Sequence, residues 1–212
     1  MTDIILKKYQ ENFVNDILTD NLHGKIMYWN MGTGKTIGAL SVVLNYPEDD
    51  IIVISPKELE FVWKSEKNKI KKIKNNFQYL NYENLKELLN VDTENKILIL
   101  DEAHQLKINI ESQKIETFKI INKLNNSKKI LLLTGTPIYN NLQDFNFLIN
   151  IAAGKNIIPL NFSDFKNKYF IKNKFKSLRY GHYQLFLESV QNFIYFINFI
   201  FLLYIIDKSL RE

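Results

Sequence analysis

Residues Lys25–Asn45 read KIMYWNMGTGKTIGALSVVLN, an apolar run, a glycine loop and a helical pattern in direct succession. Lys25–Trp29 is short and apolar, which predicts a buried strand. In MGTGKT (Met31–Thr36), Gly32 and Gly34 let the backbone curl so that successive N–H groups converge on one point. The helix that starts near Lys35 adds its positive dipole end to the same point, which suits a phosphate. Lys35 would reach the β- and γ-phosphates, and the Thr36 hydroxyl would ligate Mg²⁺. A complete phosphate-loop pattern asks for glycine at position 29, where this chain has Trp29. The reading therefore rests on the GKT core and on its place between a strand and a helix, against the plainer alternative of a surface turn opening a helix.

Downstream, Leu98–Leu106 reads LILDEAHQL, an apolar run that stops abruptly at Asp101-Glu102. A strand buried on both faces delivers Asp101 at its C-terminal edge, where a carboxylate can hold the Mg²⁺ shell. Glu102 is then placed to polarise an attacking water. An acidic pair alone would more simply cap a helix, and the glycine loop upstream decides against that; a lone His104 would be structural, and its place in DEAH (Asp101–His104) is what sets it apart. Leu131–Leu142 reads LLLTGTPIYNNL, ending another apolar strand in Thr134, Gly135 and Thr136. TGTP can be a tight turn, but neighbouring strand ends would let the threonine hydroxyls meet His104.

The 212 residues can hold one substantial core and an appendage, but not two full α/β lobes. With 46% hydrophobic and 24% charged residues the composition is that of a globular protein. The net charge of +5 permits polyanion binding without proving it. Zero cysteines exclude disulfides, Cys-ligated zinc and thiol catalysis, and the three histidines (His23, His104, His182) are too scattered for a metal cluster. The N-terminal MTDIILKKYQENF lacks the apolar core of a secretory signal, which predicts an intracellular protein.

Strand and helix patterns alternate along the chain, the rhythm of a parallel α/β sheet. Strands are expected at Lys25–Trp29, Asp50–Ile54, Phe77–Leu80, Lys96–Leu100 and Lys129–Thr134. Helices are expected at Lys35–Asn45, Glu58–Lys74, Glu83–Leu89, Ser112–Leu124 and Leu142–Ile151. The lysine run KSEKNKIKKIK (Lys64–Lys74) reads either as the solvated face of its helix or as a phosphate-contacting stripe.

The ordered set of motifs resembles the first RecA-like lobe of superfamily 2 helicases. It is most similar to the Snf2-type translocases and to poxvirus-type NTP phosphohydrolases. LKKYQ (Leu6–Gln10) resembles the family's opening motif, which implies that Gln10 recognises adenine. Met31–Thr36 resembles motif I, with Trp29-Asn30 in place of the usual acidic pair. VISPK (Val53–Lys57), followed by Trp63 and Glu66, resembles motif Ia, which tracks the nucleic-acid backbone. Tyr82 in YENL resembles the next element, Asp101–His104 motif II, and Leu133–Leu142 the extended motif III of the Snf2-like branch. FSDFKNKYF (Phe162–Phe170) is similar to the segment that follows.

The resemblance implies a RecA-like P-loop lobe with a parallel sheet flanked by helices over residues 1–160, then a helical extension over 161–212. It implies a nucleic-acid-dependent ATPase with ATP and Mg²⁺ as ligands. Met31, Gly32, Thr33, Gly34, Lys35 and Thr36 would bind nucleotide with Gln10; Thr36 and Asp101 would hold the metal. Lys35, Asp101, Glu102, His104, Thr134 and Thr136 would act in hydrolysis and its coupling. DNA is the expected polymer over RNA.

Nothing after Phe170 resembles the family's second lobe, and the two arginines, Arg179 and Arg211, sit in no finger motif. An arginine finger supplies about 10³–10⁵ in rate in related chemistry. The chain alone is thus expected to bind ATP and turn it over poorly, as a truncated or split frame or as a lobe completed in trans. A non-enzymatic remnant that binds nucleotide or DNA is the alternative. The tail FIYFINFIFLLYII (Phe193–Ile206) predicts a buried or partner-covered helix, its 14 residues falling short of the ~20 that span a bilayer. Its interfacial tyrosines and Lys208 leave a membrane tether as the less favoured reading.

Overall fold

The computed structural model describes residues 4–20, 22–106, 114–135, 142–169 and 194–196. Six parallel strands form one sheet: β1 (Gly24–Tyr28), β2 (Ile51–Ser55), β3 (Phe77–Asn81), β4 (Ile97–Asp101), β5 (Lys129–Thr134) and β6 (Ile194–Phe196). Their spatial order is β3-β2-β4-β5-β1-β6. Around them stand α1 (Lys8–Thr19), α2 (Lys35–Val43), α3 (Glu60–Lys69), α4 (Lys114–Asn125), α5 (Leu142–Ala153) and α6 (Phe162–Tyr169). This is the expected parallel α/β sheet flanked by helices.

The central strands β2 and β4 are apolar almost throughout because both faces are covered, whereas the edge strand β3 buries only Leu80. Successive side chains alternate between two cores. Ile26, Ile52, Leu98, Leu100, Ile130 and Leu132 pack with Phe145, Leu148, Ile149 and Ala152 of α5 and with Leu124 of α4. Met27, Ile51, Val53, Ile97, Ile99, Leu131 and Leu133 pack with Phe13 and Ile17 of α1, Leu40 and Val43 of α2, and Trp63 of α3. Each fully buried aliphatic side chain contributes about 1.5–3 kcal/mol. Gly24 opens β1 because a Cβ there would lie 2.2 Å from the Ile130 side chain on the neighbouring strand.

Three expectations change, the first being that the helix expected at Glu83–Leu89 is a 3₁₀ segment over Tyr82–Asn90, kinked at Asn84. The predicted helix Glu58–Lys74 is a 3₁₀ turn (Lys57–Leu59) followed by α3, which stops at Lys69. Ile70 and Ile73 are buried, and a turn between them closed by Ile73 N–H to Ile70 O turns both into the core. Lys64 and Lys69 pair with Glu60 and Glu66 at 2.6 Å each, and Lys64 and Lys67 lie over the rings of Tyr79 and Phe77. Within α3 the lysines thus serve the helix's solvated face. The tail changes more. Ile194–Phe196 is not helical but a strand paired in parallel with β1, in register Ile26↔Ile194 to Tyr28↔Phe196. Its β-branched and aromatic residues suit a strand, and β1 offers it an edge whose backbone groups need partners. The sheet of the first segment thus takes a strand from the second. The rest of Phe193–Ile206 lies outside the described residues, among which no helix is long and apolar enough to cross a membrane.

Candidate nucleotide and coupling site

In parallel α/β sheets ligands sit beyond the carboxyl ends of the strands. Here β4, β5 and β1 are consecutive neighbours. Their ends carry Asp101, Thr134 and the glycine loop, so strand order alone draws the three motifs together. The register places Asp101 beside Leu133 and Tyr28 beside Thr134.

The loop after β1 is shaped by its backbone. Gly32 and Gly34 have φ of 73° and 84°, the left-handed region that costs other residues about 1–2 kcal/mol. Gly34 caps α2, whose first residue is Lys35. The Lys35 side chain is buried, and its ammonium donates to the Trp29 carbonyl at 3.2 Å. Thr36, next on α2, is half-buried. Met31 at the loop tip is 84% exposed. Thr33 donates from its hydroxyl to the Asn30 carbonyl at 2.6 Å, a local turn lock.

Trp29 occupies the position where the full pattern has glycine without needing a glycine's conformation, for its φ is not positive. Its ring is buried beneath the loop, edge-on to Tyr9 and Phe13 of α1. Gly38 on α2 makes room for it, since a Cβ there would lie 3.0 Å from the indole. The departure at position 29 is thus compensated one turn into α2.

α1 clasps the loop from outside. Tyr9 Oη donates to the Thr33 carbonyl at 2.6 Å, and Gln10 Nε2 donates to the carbonyls of Gly34 (3.2 Å) and Thr33 (3.4 Å). Gln10 Oε1 accepts the Lys7 backbone N–H at 2.8 Å. The buried Gln10 amide is therefore engaged at both ends with protein backbone. The family resemblance implies an adenine contact for Gln10; the clasp depends on how α1 seats against the loop, which the sequence does not show.

The β4 end is held by side chains. Asp101 is buried, and Oδ2 accepts the Trp63 indole N–H at 2.9 Å while Oδ1 accepts the Glu102 N–H at 3.0 Å. Tyr82 Oη donates to the Asp101 carbonyl at 2.8 Å. Burial raises the Asp101 pKa; the Trp63 hydrogen bond opposes this, the Glu102 charge adds to it, and the Glu102 N–H and Lys35 oppose it. The Tyr82 hydroxyl is pushed well up by burial and by both acids, so it stays a neutral donor.

Glu102 follows in the left-handed region, at φ 50° and ψ 50°. For a residue with a side chain this is strain of the kind that gathers at functional sites. It opens the 3₁₀ turn Ala103–Gln105. His104 Nδ1 lies 3.1 Å from Thr134 Oγ1 and 3.4 Å from Glu102 Oε2. The carboxylate only accepts, so a proton on Nδ1 serves this arrangement. The expected meeting of His104 with a motif III threonine is present. Gly135 reaches further, for a Cβ there would lie 3.7 Å from Lys35 Nζ and 3.8 Å from Met31 Cγ. Thr136 lies outside the described residues.

These groups fit a nucleotide with a divalent cation. The Lys35 ammonium has three donors, and among the described residues no carboxylate lies within ion-pair distance of it. A Cβ on Gly32 would meet nothing within 4 Å, so the loop crest is open to a ligand. Mg²⁺ keeps several waters and takes one or two protein oxygens beside phosphates, which suits Thr36 and Asp101 without an acidic cage.

Trp63 and Tyr82 are the residues that sequence reading named without seeing their place here. The motif strings carried them as nucleic-acid-tracking or unassigned positions, whereas the fold turns both onto Asp101.

Comparison with known proteins agrees with this fold. The chain is 32% identical over 164 residues to a putative ATP-dependent RNA helicase of Acanthamoeba polyphaga mimivirus, covering 75% of this chain and 35% of that protein. It is 31% identical over 211 residues to nucleoside triphosphatase I of Heliothis armigera entomopoxvirus, covering 84% of this chain and 31% of the relative. The chain thus spans about a third of the length of these relatives. The Sulfolobus solfataricus SWI2/SNF2 ATPase core in complex with dsDNA superposes with a TM-score of 0.60 at 25% identity, over 90% of this chain and 44% of that one. The sequence profile of the SNF2-related domain matches residues 70–195, more than half of the chain. On that match, and with the shared RecA-like fold, the chain belongs to the SNF2-related domain family.

Proposed function

We propose that the chain is the ATP-binding lobe of a nucleic-acid-dependent ATPase, completed by a second lobe for full turnover. The observation that carries this reading is the convergence at one sheet edge: a buried lysine behind a glycine loop, a buried aspartate, and a histidine bonded to the threonine of the next strand. In this reading the loop N–H groups of Gly32, Thr33 and Gly34 and the Lys35 ammonium bind the β- and γ-phosphates, with Met31 flanking them at the loop tip. Thr36 and Asp101 hold Mg²⁺, which neutralises charge developing on the phosphate oxygens. Glu102 orients and polarises the attacking water. His104, between Glu102 and Thr134, ties the water-activating residue to motif III; Thr134 and Thr136 carry that state onward to the nucleic-acid surface. By resemblance Gln10 reads adenine, which requires its amide to exchange part of its backbone clasp for the base.

DNA is the polymer this reading favours, because a similar solved structure is described as bound to dsDNA. One similar protein is instead described as an RNA helicase, so the test includes both. An intracellular setting goes with it. The experiment is ATP hydrolysis by the chain alone, with DNA, with RNA, and with a second lobe supplied as a separate protein. Slow basal turnover that rises with DNA and the added lobe, and that disappears in Lys35→Ala, is expected. ATP binding with no stimulated turnover under any condition would overturn the enzymatic reading and leave a nucleotide-binding module.

A further inference from the structure

Asp101 is fixed more tightly than a solvent-edge carboxylate requires. A carboxylate has about four acceptor sites; here Trp63 Nε1–H takes one on Oδ2 and the Glu102 N–H one on Oδ1. The remaining site on each oxygen is left for a cation or its waters. The Trp63 ring has no exposed surface and is wedged in the core between α3 and the sheet, so its N–H cannot drift. A buried indole needs an acceptor, and backbone carbonyls would serve that need. This one is spent on the single buried acid of the site.

We propose that Trp63 is a positioning residue for the metal site: its indole N–H fixes the Asp101 carboxylate in the orientation that receives Mg²⁺. The inference rests on the reading of Asp101 as a metal-holding residue. Groups that orient a metal's ligands from behind typically account for about 10–100-fold in metal affinity. Because Trp63 belongs to α3 (Glu60–Lys69), the carboxylate's placement is tied to the seat of that helix on the sheet.

The test uses the full chain as wild type, Trp63→Phe, Asp101→Asn and the double variant. Mn²⁺ affinity of the ADP complex is read by electron paramagnetic resonance, and metal-free ADP affinity by calorimetry. Trp63→Phe should leave metal-free ADP binding unchanged, weaken Mn²⁺ about 10-fold, and add nothing in the Asp101→Asn background. Wild-type Mn²⁺ affinity in Trp63→Phe, with loss in Asp101→Asn, would overturn the proposal and make Trp63 a packing residue. Wild-type Mn²⁺ affinity in Asp101→Asn would instead overturn the reading of Asp101 itself. Should Trp63→Phe fail to fold, benzothienylalanine at position 63 keeps the shape and replaces the N–H by sulfur. It should show the same loss, and wild-type affinity there would equally overturn the proposal.

Discussion

The loop after β1 and the loop after β4 lie at the same edge of the sheet and are built by opposite means. The first takes its form from backbone freedom, with Gly32 and Gly34 in the left-handed region and the carbonyls of Thr33 and Gly34 clasped by Tyr9 and Gln10. The second has no glycine. It places Asp101 by hydrogen bonds from Trp63 and Tyr82, and it forces Glu102 into a conformation that glycine would take more easily. A loop that receives a ligand with its N–H groups must be free of side chains. A strand end that presents two carboxylates cannot give up side chains, and must be braced from elsewhere in the fold.

The largest effect expected from breaking this contrast is chemical. Glu102→Gln should lower single-turnover ATP hydrolysis by about 10²–10⁴ while leaving ATP binding intact; unchanged hydrolysis would remove Glu102 from the role given to it. Next come the glycines. Gly34→Ala should cost about 1–2 kcal/mol in urea melts from its backbone conformation alone, and it must also displace Gln10 Nε2, 2.6 Å from the new Cβ. Gly32→Ala carries the backbone cost into open space. Gly34→Ala should therefore be the less stable of the two, and equal midpoints would mean that the Gln10 clasp contributes nothing.

On the braced side, Tyr82→Phe strands the Asp101 carbonyl without its donor and should cost about 1–2 kcal/mol in the same assay. The smallest effect is a pH dependence. Burial, the strongest of the influences on it, holds the Asp101 pKa above the ordinary carboxylate value. An acid with a raised folded-state pKa is more protonated folded than unfolded. Its stabilising contribution is therefore present at acid pH and lost as pH rises through the folded value. The stability of wild type relative to Asp101→Asn should thus fall as pH is raised from below the carboxylate range toward neutrality. A relative stability that rises instead would mean that the Trp63 and Glu102 hydrogen bonds outweigh burial.

The same contrast explains what was legible from the residues. GTGKT carries its own geometry, because glycine freedom and a helix start are local properties. The apolar strands were legible too, since residues buried on both faces leave unbroken runs such as Ile51–Ile54 and Leu98–Leu100. The meeting of His104 with Thr134 was legible chiefly through the family resemblance, with both residues placed at strand ends. The bracing of Asp101 was not legible, for it depends on where α3 and the turn after β3 come to rest against β4. Nor was the compensation of Trp29 by Gly38, which needs the depth of the indole beneath the loop. The tail misled because an apolar run carries no period. Whether Ile194–Phe196 is helix or strand was decided by the open edge of β1, a partner far away in sequence.

On the proposed reading the β1 and β4 loops together form one metal-dependent nucleotide site. Calorimetric titration of ATP into the chain, with and without Mg²⁺, tests it most directly when run on wild type, Lys35→Ala and Asp101→Asn. Binding strengthened by Mg²⁺ is expected in wild type, loss of binding in Lys35→Ala, and binding in Asp101→Asn that no longer responds to Mg²⁺. ATP affinity in Lys35→Ala equal to that of wild type would contradict the proposed reading.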